Sequence, residues 1–295
     1  MTTGLLLAFA SAVLFAANNL LGKFVSSGFS IRASMVVQYA FMAVFGAVAV
    51  ALFGTFRASL DGLGWAVLAG CGIVGYLGFA VFLLALRRAP IGVVISVSYA
   101  YVFVAYLANA WLFPEVEKLS VLRLALGAAF FAVIAFFLVE RRADGKVRIG
   151  ASAALPLVTA LCWGAYMAAM NWLLKTGRLT DVQVTFYSEG AIFLVAAAAW
   201  AATLAWRQAP RAAGKMGTRA KLAYLGWGLA MYGGVLTANM AFSRAPANLV
   251  NFVALSSVVI APALGYVFFR EKMTRAQVAT GAVAALLLGA FVLAG

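Results

Sequence analysis

The chain contains no histidine, only eight acidic residues and only two cysteines among its 295 residues. Each shortage removes a class of chemistry. Without histidine the commonest general base and metal ligand is missing. Acids scattered mostly through connecting segments do not form the paired or metal-holding carboxylates that membrane-embedded transferases and hydrolases need. An enzyme is therefore not expected, and neither is a metal or any other cofactor. Cys71 and Cys162 fall inside apolar runs, where a thiol packs as a small apolar group more readily than it forms a disulfide. The segment "LGKF" at 21–24 lacks the remaining spacing of a phosphate-binding loop, so no nucleotide site is indicated.

Charge is scarce as well: 10% of residues are charged and 66% are hydrophobic, with a mean hydropathy of +1.03. Soluble domains hold about 45–50% apolar residues, so this is a membrane protein. Dense Leu, Phe and Ala without period-2 alternation exclude an outer-membrane barrel. A hydrocarbon core about 30 Å thick takes about 20 helical residues per crossing. Runs of that length occur ten times, at 4–24, 33–54, 63–86, 91–112, 119–139, 151–174, 182–206, 221–243, 247–269 and 274–294. The first follows Met-Thr-Thr with no basic n-region or clear cleavage site, so it is expected to be a retained helix.

The few charges are unevenly placed. Of the 22 Lys and Arg, 16 lie in connections 1–2, 3–4, 5–6, 7–8 and 9–10, against six in the alternate set. The positive-inside rule then makes the richer set cytoplasmic and leaves both termini outside. The net charge of +14 is accounted for by membrane headgroups rather than nucleic acid, because the basic residues sit between the spans.

Two stretches share one outline. "YLGFAVFLLALRRAP" at 76–90 ends span 3 and opens span 4, and "YGGVLTANMAFSRAP" at 232–246 ends span 8 and opens span 9. Arg88, Ala89 and Pro90 match Arg244, Ala245 and Pro246, with proline at a first helical turn, where its missing N–H is not needed. "EKLSVLRLALGAAF" (117–130) matches "EKMTRAQVATGAVA" (271–284), and Phe15 in span 1 falls over Trp163 in span 6. The copies are five crossings apart. Five is odd, so one half is upside down relative to the other, as in many secondary transporters. The expected fold is an all-α membrane protein of ten transmembrane helices in two inverted five-helix repeats, 1–144 and 145–295.

These motifs resemble the drug/metabolite transporter superfamily, in its EamA-type ten-helix branch, over essentially the whole chain. At closer range the sequence is similar to the aromatic amino acid exporters of the YddG type. That resemblance implies an inner-membrane exporter of aromatic and other neutral amino acids, with alternating access around a central cavity. In the small multidrug members a Glu of the first helix binds protons and cations in alternation. Phe15 stands at that position here, and a phenyl ring takes no proton, which implies transport down the substrate's own gradient. Those members pair two short chains, so a functional monomer of this longer chain is compatible with the resemblance.

Polar groups near the midplane are expensive facing lipid and mark candidate cavity residues. The set comprises Asn18, Asn19, Phe79, Tyr99, Tyr166, Asn239 and Asn251, together with Tyr76 and Tyr232, and Phe15 and Trp163, paired by the repeat. Amides serve both ends of a zwitterion, and aromatic faces stack a ring or hold a cation. The same amides also bridge neighbouring helices, where each contributes about 0.6 kcal/mol. A phosphate carrier would need deep Lys or Arg, whereas Lys23 and Lys175 lie near span ends, where they snorkel. A multidrug exporter of the same fold would favour cationic lipophiles and a buried carboxylate, for which Glu189 is the one acid well inside a span.

The charge bias is testable by reporter fusions. A reporter after Gly295 is expected to behave as periplasmic and one inserted in the 207–221 connection as cytoplasmic; the opposite pattern overturns the orientation.

Overall fold

The structure is a computed structural model that describes residues 2–28, 30–54, 56–112, 118–141, 147–149, 151–205, 217–245, 247–271 and 274–294. Glu117, Trp206, Pro246 and Lys272, together with residues 207–216 of the basic connection, lie outside the described residues. Twelve α-helical segments form ten rods. In chain order they are α1 (Thr2–Gly28), α2 (Ile31–Phe53), α3 (Gly62–Arg88), α4 (Ile91–Ser98), α5 (Tyr101–Leu112) and α6 (Val121–Leu138). After them come α7 (Ala151–Lys175), α8 (Asp181–Ala205), α9 (Thr218–Phe242), α10 (Ala247–Ala254), α11 (Ser256–Phe269) and α12 (Arg275–Leu293). The ten expected spans match these rods within a few residues. One short antiparallel ribbon, β1 (Val139–Arg141) with β2 (Val147–Ile149), joins α6 to α7, where the sequence suggested only a loop.

Among the described residues, seven of the rods are long and apolar enough to cross a hydrocarbon core. Leu6, Phe9, Val48, Leu194, Leu229 and Leu286 are exposed on the outer surface of the bundle, as side chains in contact with lipid must be. The chain is thus a multi-pass helical membrane protein. Asp61 caps α3 by accepting from Gly64 N–H at 2.7 Å. That hydrogen bond, with the Arg178 guanidinium beside it, holds the Asp61 carboxyl below its ordinary range.

Spans 4 and 9 are each two helices. The fourth breaks at Tyr99–Ala100, between α4 and α5, and the ninth at Leu255, between α10 and α11. Pro262 lies within α11, seven residues beyond the interruption of span 9 at Leu255. At both breaks the backbone tightens to three-residue bonds: Val102 N–H donates to Tyr99 O at 3.1 Å, and Val258 N–H to Leu255 O at 2.9 Å. A regular helix would send Val258 N–H to the carbonyl of Ala254. That carbonyl accepts instead from Ser257 Oγ at 2.8 Å and from the Tyr99 hydroxyl at 3.2 Å. The Tyr99 hydroxyl also bonds Ser257 Oγ, so one break is tied to the other.

Around this pair, α1 packs along α9 and α3 along α7, while α2 lies against α8 and α6 against α12. Glycine permits the close approaches. A Cβ on Gly72 would stand 2.8 Å from the Ala191 carbonyl oxygen, one on Gly75 2.5 Å from Ile192, and one on Gly78 2.8 Å from Cys162. These three lie one turn apart on the face of α3 that meets α7 and α8. Gly70 points to open space.

Gly72→Ala is therefore expected to destabilise the bundle by about 1–3 kcal/mol, the usual range for overpacking. Gly70→Ala should leave the thermal midpoint unchanged or slightly raised, since alanine is the better helix former. Thermal unfolding in detergent, followed by tryptophan fluorescence, separates the two.

Candidate functional site

A cavity of about 120 Å³ lies among α1, α2, α3, α4, α5, α7, α8, α9 and α10. Nine of the eleven candidate residues line it: Phe15, Asn18, Asn19, Phe79, Tyr99, Trp163, Tyr166, Asn239 and Asn251. Tyr76 and Tyr232 do not. On α3 the cavity face is Gly75 and Phe79, four residues apart, and Tyr76 is rotated off it. On α9 the face runs through Met231, Val235, Ala238 and Phe242. The Tyr232 ring instead packs beside Gly46 of α2, where an added Cβ would be 3.2 Å from it. Both tyrosines pack with the core, so the symmetry that paired them located helix neighbours and not walls of this cavity.

Eight of the 25 residues of the wall are aromatic. Trp163 sits at 4.9 Å from Phe82 and 6.3 Å from both Phe79 and Tyr101, measured between ring centroids. Gly78 makes room for the indole, because a Cβ there would be 2.9 Å from Trp163 Cδ1. Phe15 packs on Gly234 in the same way, at 3.2 Å from a Cβ built there. Tyr39 meets Phe79 edge-on at 5.9 Å, and Tyr99 and Tyr101 stand 5.4 Å apart.

The polar groups are mostly amides. Asn18 Nδ2 reaches Asn19 Oδ1 at 3.4 Å and Gln38 Nε2 reaches Asn18 Oδ1 at 3.5 Å, so these bonds are long and readily exchanged for a ligand. Asn239 donates to Thr185 Oγ1 at 2.7 Å, which orients its amide. Glu189, outside the chosen set, also lines the cavity, and it is 1% exposed. Its Oε1 accepts from the Tyr166 hydroxyl at 2.8 Å, while Oε2 has no hydrogen-bond partner among the described residues. The sequence flagged this acid as the one deep inside a span but not its aim into the cavity. Met167, Met170 and Ile192, apolar residues with no signal in the sequence, complete the wall.

The two ends of the cavity differ. Ala8, Phe242 and Val250 carry it toward the face of the bundle where the chain begins. Toward the opposite face it is shut by fully buried Trp227, whose ring lies 5.9 Å from both Phe79 and Tyr224, and by the 2.7 Å bond between Tyr224 and Ser34. Lys23 does not snorkel. It forms an ion pair with Glu271 and donates to the Ala89 carbonyl at 3.1 Å, while Glu271 accepts from Ile91 N–H at 2.8 Å. The Glu271 carboxylate thus satisfies an open N–H at the start of α4 and meets the positive end of the helix dipole. The pair ties the ends of α1, α3 and α11 together, with its side chains only 18% and 13% exposed. On the N-terminal face the ion pairs Arg178–Asp61 and Arg244–Asp181 are more exposed.

No family model matches the chain. No curated protein matches it either. A solved structure described only as a crystal structure of a protein matches with a TM-score of 0.64 at 17% identity, covering 99% of this chain and 96% of that one. At that identity the likeness extends to the fold alone.

The Lys23–Glu271 closure is testable apart from any substrate. In a background lacking Cys71 and Cys162, a cysteine at Asn19 should react slowly with an impermeant maleimide supplied on the Lys23 face. Glu271→Gln removes charge-assisted bonds that each contribute about 1.5–3 kcal/mol, so labelling should rise roughly tenfold or more. An unchanged rate would mean that the aromatic layer alone holds that face shut.

Proposed function

We propose that the chain is a secondary transporter of the drug/metabolite transporter superfamily, of the EamA-type ten-helix branch. It exports aromatic and other neutral amino acids across the inner membrane by alternating access. The lining of the cavity carries the proposal: aromatic rings around loosely bonded amides, in a space bounded toward the Lys23 face by fully buried Trp227. A volume of about 120 Å³ suits a small metabolite, well below the several hundred Å³ typical of drug-sized sites.

The inverted repeat, with halves 1–144 and 145–295, is supported by the positions of the two breaks. Tyr99 and Leu255 each stand nine residues beyond the proline of their Arg-Ala-Pro motif. The contacts obey the same exchange, since α1 against α9 becomes α3 against α7 when the halves trade places.

Phe15 contributes no exchangeable proton at the cavity wall, which supports movement down the substrate's own gradient. Glu189 favours a second possibility: an acid in the cavity with a partnerless oxygen accepts a proton or a cationic lipophile, as a multidrug exporter requires.

Proteoliposome counterflow decides between them. Phenylalanine exchange should persist with the proton gradient collapsed by an ionophore and in Glu189→Gln. Trp163→Ala and Phe15→Ala should each lower it roughly three- to tenfold, while Tyr76→Ala and Tyr232→Ala change it less. Exchange that requires the gradient and disappears in Glu189→Gln makes Glu189 the coupling site. Exchange of quaternary amines but not amino acids replaces the substrate class.

A further inference from the structure

The central cavity holds one acid, Glu189 of α8, and its two oxygens stand in different positions. Oε1 is fixed: it accepts from the Tyr166 hydroxyl at 2.8 Å, and the Ser188 hydroxyl lies 3.0 Å from the same phenol. Oε2 is buried and has no hydrogen-bond partner among the described residues. Ile192, three residues further along α8, also lines the cavity, so Glu189 lies on the helix face turned toward it. Gly75 of α3 makes the space, because a Cβ there would stand 2.5 Å from Ile192 and 3.4 Å from the Tyr166 ring. Tyr166 and Ser188 therefore position one oxygen and leave the other to whatever enters the cavity.

The kinds of cation that could meet Oε2 differ in what they bring. A proton cancels the charge but fills none of the space beside it. A hard metal ion takes six or more oxygen ligands, whereas Glu189 is the one acid in this wall, and no group of three His, Cys, Asp or Glu able to hold a metal occurs among the described residues. A quaternary ammonium has charge but no N–H to donate. A primary ammonium supplies both, and its remaining charge faces a wall with eight aromatic residues. We propose that Glu189 is the ammonium-binding residue of the central cavity: Oε2 accepts from the –NH3+ of a small aromatic amino acid or amine, whose ring lies among Phe15, Phe79 and Trp163. Tyr166 is its positioning residue. The subsite rests on the transporter reading and names the group by which that reading's substrate is recognised. It selects primary ammonium compounds over acids and over quaternary amines, because an analogue without N–H leaves Oε2 unsatisfied. The charge that neutralises Glu189 then arrives and leaves with the substrate, so the cycle requires no proton at this carboxylate.

Four probes with one ring separate these roles: phenylalanine, phenethylamine, the N,N,N-trimethyl derivative of phenethylamine, and 3-phenylpropionate. Binding to the purified full chain in detergent is read by calorimetry. The wild type should bind phenylalanine and phenethylamine roughly tenfold or more tighter than the other two. E189Q should weaken phenylalanine and phenethylamine roughly tenfold and leave 3-phenylpropionate unchanged. It retains a carbonyl oxygen, so phenylalanine counterflow survives with a higher half-saturation concentration. Y166F frees Oε1 and should weaken the same two probes by less, roughly two- to fivefold, while sparing 3-phenylpropionate; it tests the subsite separately should E189Q fail to fold. A trimethyl derivative that binds as tightly as phenethylamine assigns the carboxylate to cationic lipophiles and overturns the subsite. Equal weakening of phenylalanine and 3-phenylpropionate by E189Q, no weakening by either substitution, or no binding of any probe to the wild type also overturns it. Ammonium-selective binding in a protein that does not move phenylalanine retains the subsite and removes the export reading. Phenylalanine counterflow with a half-saturation indifferent to both substitutions does the reverse.

Discussion

A helix interrupted inside a hydrocarbon core must find partners within the protein for the backbone groups it frees, because lipid offers none. Spans 4 and 9 are both interrupted, and the rest of the structure follows from how that demand is met. The carbonyl of Ala254 is released when Val258 N–H turns to Leu255, and it is taken up by Ser257 and by Tyr99, a residue standing at the other break. The two interruptions are therefore cross-bonded. Tyr99 belongs at once to the backbone accounting of span 9 and to the wall of the central cavity, so the place where the helices part is also where a solute can be received.

The glycines of α3 serve the same end from outside the breaks. Lipid tails are as apolar as leucine, so membrane helices gain little from simple burial and depend on close contact. Gly72, Gly75 and Gly78 bring α3 onto α7 and α8, and the Trp163 indole occupies the space that Gly78 leaves open. Closure of the bundle is uneven. One face is held by buried aromatic rings and by Lys23 with Glu271, which joins three helix ends through both charge and a helix N-terminus. The other is held by exposed ion pairs, which contribute little. The two faces thus differ in the contacts that hold them, a mostly buried ion pair with aromatic rings against more exposed pairs.

Within the cavity, the chemistry is neutral apart from one carboxylate. Amides with long mutual bonds lose little when a ligand replaces a neighbour, and stacked rings supply area without demanding a fixed polar geometry. Glu189 is the exception, bound by Tyr166 on one oxygen only. A charged carboxylate without a partner is costly to bury, so the second oxygen is a place for a proton or a cation.

Much of the fold was legible without coordinates, because hydropathy is a local property: ten apolar runs became ten rods, and the two Arg-Ala-Pro motifs marked the hairpins between them. Nine of eleven candidate residues reached the cavity for a related reason, since a polar or aromatic group at mid-span is expensive unless it faces the interior. The failures share a physical cause. Tyr76 and Tyr232 were placed by repeat symmetry, which fixes position along an axis but not rotation about it, and one residue of rotation, about 100°, turns a cavity residue into a packing one. Lys23 reads as a cation near a span end, and Arg123 falls in the fifth run, 119–139. Only the packing of distant helices decided that one closes a face with Glu271 and the other lies against the rings of Tyr106 and Phe291 beside a smaller cavity. The sequence by itself determined what each helix could tolerate in lipid; the tertiary structure decided which side chains from different helices meet, because those contacts span up to 248 residues between Lys23 and Glu271 and leave no periodic trace along the chain.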